Sequence, residues 1–208
     1  GITDLVEKMH HTIQLGHMPL GASRADVTGG LTGLIYRSIR GTTRVVGRGL
    51  DMGLAPLAAM MPEGESTAAR DAWVSAINGV YGDHLERTGN PLAIEMSFRH
   101  DSRRVDPQRP AETLAGVTGR LLVIVHGLCL NERHWTRDGD NRIETVAVEH
   151  GYTPLYLRYN SGLHVADNGR AFAALLEELV STWPVPVEEL VIVAHSMGGL
   201  VARSACHY

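Results

Sequence analysis

The sequence predicts an α/β fold: a doubly wound, mostly parallel and incomplete sheet, preceded by a helical N-terminal region. Three observations predict it. Apolar runs at Leu121–Val125, Thr153–Tyr159 and Leu190–Ala194 have the continuous character of parallel strands covered on both faces. Helical patterns separate these runs, so strand and helix alternate from Arg120 to the end of the chain. Upstream the pattern changes to helical segments rich in glycine. The expected division is therefore residues 1–90 as the helical region and 91–208 as the partial α/β domain.

Before about residue 62, Leu5, Met9 and Ile13 recur at helical spacing, while Gly29, Gly30, Gly33, Gly41, Gly47, Gly49 and Gly53 weaken any helix there. Residues 66–87 form a second helical candidate, ended by the turn-forming run Thr88, Gly89, Asn90 and Pro91. Ala93–Phe98 alternates like a half-buried strand, and a polar linker follows from His100 to Glu112. After the run at 121–125, a helix is expected over about 141–150, closed by Gly151. Phe172, Leu175, Leu176, Leu179, Val180 and Trp183 fall at steps of three and four, an amphipathic helix that Pro184 and Pro186 terminate.

Composition excludes several classes. With 44% hydrophobic and 20% charged residues the chain is globular rather than disordered. A net charge of -4 lacks the basic excess of a nucleic-acid protein. Cys129 and Cys206 are far apart and belong to different elements, so both are expected as reduced thiols. No run of about 18 apolar residues and no charged-then-apolar leader is present. The chain starts at Gly1 rather than Met, which leaves an upstream leader open. A cytoplasmic or membrane-peripheral location is expected. Arg37, Arg40, Arg44 and Arg48 share one helical face with no acid among them, and such a face either contacts an anionic membrane or is simply solvated.

The chemistry concentrates at Ala194-His195-Ser196-Met197-Gly198-Gly199, where an apolar strand runs into a helical start with serine at the apex. A sharp strand-to-helix turn lifts the serine hydroxyl clear of the sheet and requires small residues two before and two after it. Ala194 and Gly198 meet that demand, and Gly199 is expected to let the helix sit close to the strand. The helix start also directs its first amides and positive dipole end at the apex. Independently, the 121–125 run ends in His126-Gly127-Leu128, where a second oxyanion donor should originate.

The segments Val-Ile-Val-His-Gly-Leu at 123–128 and Val-Ala-His-Ser-Met-Gly-Gly at 193–199 resemble the lipase and esterase branch of the α/β-hydrolase superfamily, including bacterial lipases and deacylases related to inositol deacylases. The resemblance spans 121–208, a little under half of the 208 residues. Ala194 replaces the usual first glycine, as in some small bacterial lipases. The resemblance implies a cofactor-free and metal-free serine hydrolase of carboxylic esters, with a small-molecule or lipid ester as substrate and no nucleic-acid partner. Ser196 is the implied nucleophile, and the backbone amides of Met197 and Leu128 the implied oxyanion hole, worth about 3 kcal/mol per donor. Cys129, Leu130 and Trp135 line the acyl pocket or belong to the loop core. His195 and His126 read as packing or bracing neighbours.

In this family the acid and the histidine follow the serine in chain order. Only twelve residues follow Ser196, and His134, His150 and His164 all precede it. The expectation is a fragment of a protein longer by about 100 residues or more. The alternative is a non-catalytic, hydrolase-like binding module. Asp138-Gly139-Asp140-Asn141 lacks calcium-loop spacing and reads as a turn and helix cap. No CxxC, HExxH or dinucleotide-binding glycine motif is present.

Overall fold

The computed structural model describes residues 68–114, 116–136 and 139–208. The chain divides into two compact units, Gly1–Gly64 and Glu65–Tyr208, and every described residue lies in the second. The helical features expected before residue 62 and the arginine face of Arg37, Arg40, Arg44 and Arg48 lie outside the described residues.

Helix α1 (Ala68–Arg87), grouped by sequence with the helical region of residues 1–90, belongs to the same compact unit as the sheet. It buries mainly small and polar residues: Asp71, Ser75, Ala76, Asn78 and Gly82 beside Ile77 and Leu85. The helix is therefore held by close approach and hydrogen bonds rather than by an apolar ridge. Asn78 donates to Leu92 O at 2.7 Å and accepts from the Ile94 amide at 2.9 Å. Asn160 Nδ2 donates to Gly82 O at 3.0 Å, and Asn131 Nδ2 to Ser75 Oγ at 3.1 Å.

Five strands form one sheet in the order β2-β1-β4-β3-β5. They are β1 (Ser97–His100), β2 (Arg103–Arg104), β3 (Arg120–Val125), β4 (Thr153–Arg158) and β5 (Glu189–Ala194). β3 pairs in parallel with β4 and β5, whereas β1 is antiparallel to both β2 and β4. The sheet is therefore mixed, which corrects the expectation of a mostly parallel one. Asp101 and Ser102, with φ of 47° and 63°, make a two-residue hairpin between β1 and β2. No βαβ unit joins β1 to β4, so nothing imposes a parallel orientation there. β1 also starts later than the expected 93–98. The Leu92 amide is spent on Asn90 Oδ1, the Ala93 amide on Asn90 O and the Ile94 amide on Asn78, which leaves none of them for a ladder.

Helices α2 (Arg142–Glu149), α3 (Val165–Thr182) and α4 (Met197–Ala205) complete the unit. Alternate residues of β3 enter two separate cores. Leu121, Val123 and Val125 join Leu155, Leu157, Phe172, Leu179 and Val201, which places α3 and α4 on one face. Leu122 and Ile124 join Tyr156 and Ala147, which places α2 on the other. Both faces of β3 are thus covered, and this is why its sequence is a continuous apolar run. From β3 the chain crosses through α2 to β4 on one side, then returns through α3 to β5 on the other side of β3. The loops after β3 and β5 leave the carboxyl ends of neighbouring strands, and the helices that follow them, α2 and α4, pack on opposite faces of the sheet.

Candidate active site

Ser196 sits just beyond the carboxyl end of β5. β5 stays paired with β3 through Ala194 opposite Val125, and the His195 amide adds a bond to Val125 O at 2.9 Å. The pairing then breaks, and α4 begins at Met197. Ser196, between the two, has φ 53° and ψ -123° with its side chain exposed. A non-glycine residue in that left-handed region costs of order 1–3 kcal/mol and persists only where the surroundings enforce it.

Two close approaches enforce it. A Cβ on Gly198 would stand 2.5 Å from His126 O and 2.9 Å from Val125 O, so α4 is seated directly on the end of β3. A Cβ on Gly127 would stand 3.2 Å from Ser196 Cβ and 3.0 Å from His195 Nδ1, so the loop after β3 runs against the serine. Gly199, expected to bring the helix close to the strand, has nothing within 4 Å of a built Cβ. That role belongs to Gly198, because the helical rotation turns position 199 outward.

The backbone amides around Ser196 can be accounted for one by one. Gly198 N–H bonds to His195 O at 3.0 Å and Gly199 N–H to Ser196 O at 3.0 Å. Cys129 N–H bonds to Ser161 Oγ at 3.0 Å and Leu130 N–H to Gly127 O at 3.3 Å. Among the described residues no acceptor takes the amides of Met197 or Leu128. The Ser196 and Gly127 amides have no acceptor among them either, so the pair that the sequence reading names is two of four uncommitted amides around the turn.

His126 is fully buried, and its ring stacks on Tyr159 at 4.4 Å. Its Nδ1–H donates to Gly127 O at 2.9 Å, and the Tyr159 amide donates to Nε2 at 3.4 Å, a pairing that requires the neutral ring. Burial lowers its pKa to about 4. The Tyr159 hydroxyl closes the arrangement on His126 O at 2.9 Å. His126 therefore braces the loop that carries Leu128.

The remaining candidates separate. The His195 ring lies 5.6 Å from that of His134 and edge-on to Trp135 at 6.3 Å. Trp135 packs against the α2-side core, Leu130 is half-buried, and the Cys129 thiol faces α1, where a Cβ on Gly79 would come within 2.3 Å of its Sγ. Burial pushes the Cys129 thiol up to about 12. His150 lies at the far rim of the sheet, where its carbonyl accepts from Arg120 at the start of β3, and exposed His164 caps α3. Among the described residues no imidazole is hydrogen-bonded to the Ser196 hydroxyl. Asn141 caps α2 by accepting from the Glu144 amide at 3.4 Å; Asp138 of the same stretch lies outside the described residues.

Sequence reasoning missed two groupings. Arg158, on β4, is buried against Glu132 through Nε at 2.7 Å and through Nη2, and against Asp71 at 3.2 Å. Asp71 also accepts from Arg133 at 2.9 Å. This network ties α1 to the loop after β3. The partners are separated by as many as 87 residues, and no spacing rule finds such a set. His100, Asp101 and Glu144 bring possible metal-ligand atoms within 4.8 Å of one another, His100 Nε2 lying 3.8 Å from each carboxylate. Bonds of about 2.0–2.2 Å to one ion require ligand atoms closer than that, so the group is wide for a bound metal as it stands.

Compared with family models, curated proteins and solved structures, the chain has no match. Among the described residues no helix is long and apolar enough to cross a membrane.

Proposed function

We propose that Ser196 is the nucleophile of an α/β-hydrolase-type serine esterase or lipase, carried on a doubly wound sheet with α2 on one face and α3 and α4 on the other. The observation that carries this reading is the backbone of Ser196, held at φ 53° and ψ -123° between a strand and a helix with its side chain exposed. Strain of this kind belongs to nucleophile elbows, and it is enforced here by Gly127 and Gly198. In the proposed reaction Ser196 Oγ attacks the acyl carbonyl carbon of an ester. The carbonyl oxygen becomes an oxyanion that accepts from the Met197 and Leu128 amides. Collapse releases the alcohol and leaves an acyl-enzyme, which water then cleaves to the carboxylic acid. The substrate class is a small-molecule or lipid ester; no cofactor, metal or nucleic acid enters the proposal. Membrane contact through Arg37, Arg40, Arg44 and Arg48 is a secondary proposal, tested by liposome flotation after those arginines are replaced.

A second reading is a hydrolase-like binding module without turnover. It is favoured by one observation, that among the described residues no imidazole is hydrogen-bonded to Ser196 to act as its base. A fluorophosphonate probe separates the two. The enzyme reading expects a covalent adduct mapped to Ser196 and lost in Ser196→Ala. Labelling that survives Ser196→Ala, or a correctly folded full-length protein that never labels, rejects it.

A further inference from the structure

On the α1 side of the sheet, away from Ser196, a cavity of about 200 Å³ lies between α1, the segment leading into β1, and β1 itself. β1 is three strands from β5, so this space is separate from the Ser196 turn. One part of its wall is apolar, with Val74, Leu92 and Ile94; another is charged, with Arg70, Glu95, Arg99, Arg104 and Arg158.

The charges of that wall are unequally matched. Arg104 is bidentate on Glu95 at 2.8 and 3.2 Å, and Arg158 is held by Glu132 and Asp71. Among the described residues no carboxylate pairs with Arg99. Its Nη1 donates to the Ser102 carbonyl at 3.0 Å, and its buried Nε has no acceptor among them. Burial, and then the neighbouring charge of Arg158, disfavours the protonated form of Arg99, while Glu132 and Asp71, both hydrogen-bonded to Arg158, offset part of this. A half-buried guanidinium that no carboxylate hydrogen-bonds is costly, and an anion seated beside it relieves part of the desolvation.

We propose that this cavity binds a small organic monoanion, a carboxylate on a short apolar body, with the carboxylate on Arg99 and the body against Val74, Leu92 and Ile94. One guanidinium without a hydrogen-bonded carboxylate, among carboxylates that engage its neighbours, calls for a monoanion rather than a phosphate dianion. The apolar wall calls for a ligand larger than a bare ion.

Hexanoate is the probe, with acetate, hexanol and inorganic phosphate as comparisons, each titrated into the whole protein and followed by saturation-transfer NMR. Hexanoate is expected to bind more tightly than acetate, which lacks the body, and than hexanol, which lacks the charge. Arg99→Gln is expected to weaken hexanoate by about tenfold or more, with Arg99→Lys retaining part of the affinity. Ile94→Thr is expected to weaken hexanoate and leave acetate unchanged, which keeps the test decisive where Arg99→Gln does not fold. Failure of hexanoate to bind, binding unchanged in a folded Arg99→Gln protein, or phosphate binding more tightly than hexanoate each overturns the proposal. Fluorophosphonate labelling of Ser196 is scored separately, so this result and that of the elbow are independent.

Discussion

The seating of α4 on β3 makes adjacent glycines respond in opposite directions to the same substitution. In Gly198→Ala the new methyl carbon would lie 2.5 Å from His126 O, 2.9 Å from Val125 O and 3.0 Å from Val125 Cγ1. Two of these atoms are backbone at the end of a strand paired on both sides, so the helix must retreat, by about 1 Å, to restore ordinary contact. Overpacking of this kind costs about 1–3 kcal/mol. In Gly199→Ala the methyl meets nothing within 4 Å, and a helical alanine is favoured over glycine by roughly 0.5–1 kcal/mol. Thermal unfolding followed by circular dichroism should therefore show Gly198→Ala lowering Tm by roughly 2–12 °C, with Gly199→Ala level with or above the parent by about 1–4 °C. Urea titrations should give the same order. Gly198→Ala should also displace Ser196 and slow fluorophosphonate labelling, while Gly199→Ala should leave it unchanged. Equal shifts in the two proteins, or a Gly198→Ala protein as stable as the parent, would refute the close approach of α4 to β3.

Three further outcomes follow from the same geometry. Ser196→Gly should abolish labelling and raise stability by about 1–3 kcal/mol in urea unfolding, because glycine tolerates φ 53°; a loss of stability would contradict strain at that residue. His126 is protonated in the unfolded chain below its ordinary 6.5 but resists protonation in the fold until about 4. Its contribution is therefore full above 6.5 and is lost as pH falls from 6.5 towards 4, by about 3 kcal/mol. Urea midpoints taken across that range should show a steeper acid decline in the parent than in His126→Gln, and parallel declines would disprove the buried neutral ring. Arg158→Met strands Glu132 in the interior, Asp71 keeping Arg133, and should cost about 3–5 kcal/mol, part of it recovered by adding Glu132→Gln. A neutral Arg158→Met would show that the network is dispensable.

The parallel strands and their helices were legible because each is a local pattern with one physical cause. Burial on both faces makes Leu121–Val125 continuously apolar, and the observed strand is Arg120–Val125. The apolar stripe ending at Trp183 gave α3, although its first turns at Val165–Gly169 carry too few apolar residues to reveal the true start. β2 was hidden in a polar linker because two arginines in an exposed hairpin bury no side chain. α1 showed helical propensity but not its partner, since it packs through small and polar residues that leave no apolar periodicity to read.

By itself the amino-acid sequence determined the alternation of strands and helices and the small residues flanking Ser196, since period, propensity and steric permission are properties of neighbouring positions. Only the tertiary structure decided that β1 joins the sheet antiparallel, that Gly198 rather than Gly199 meets the strand, and that Gly127 runs against Ser196. It also gathered Asp71, Glu132, Arg133 and Arg158 into one buried network. Those outcomes depend on which groups come within about 3 Å across long stretches of chain, a distance set by packing and not by any local pattern.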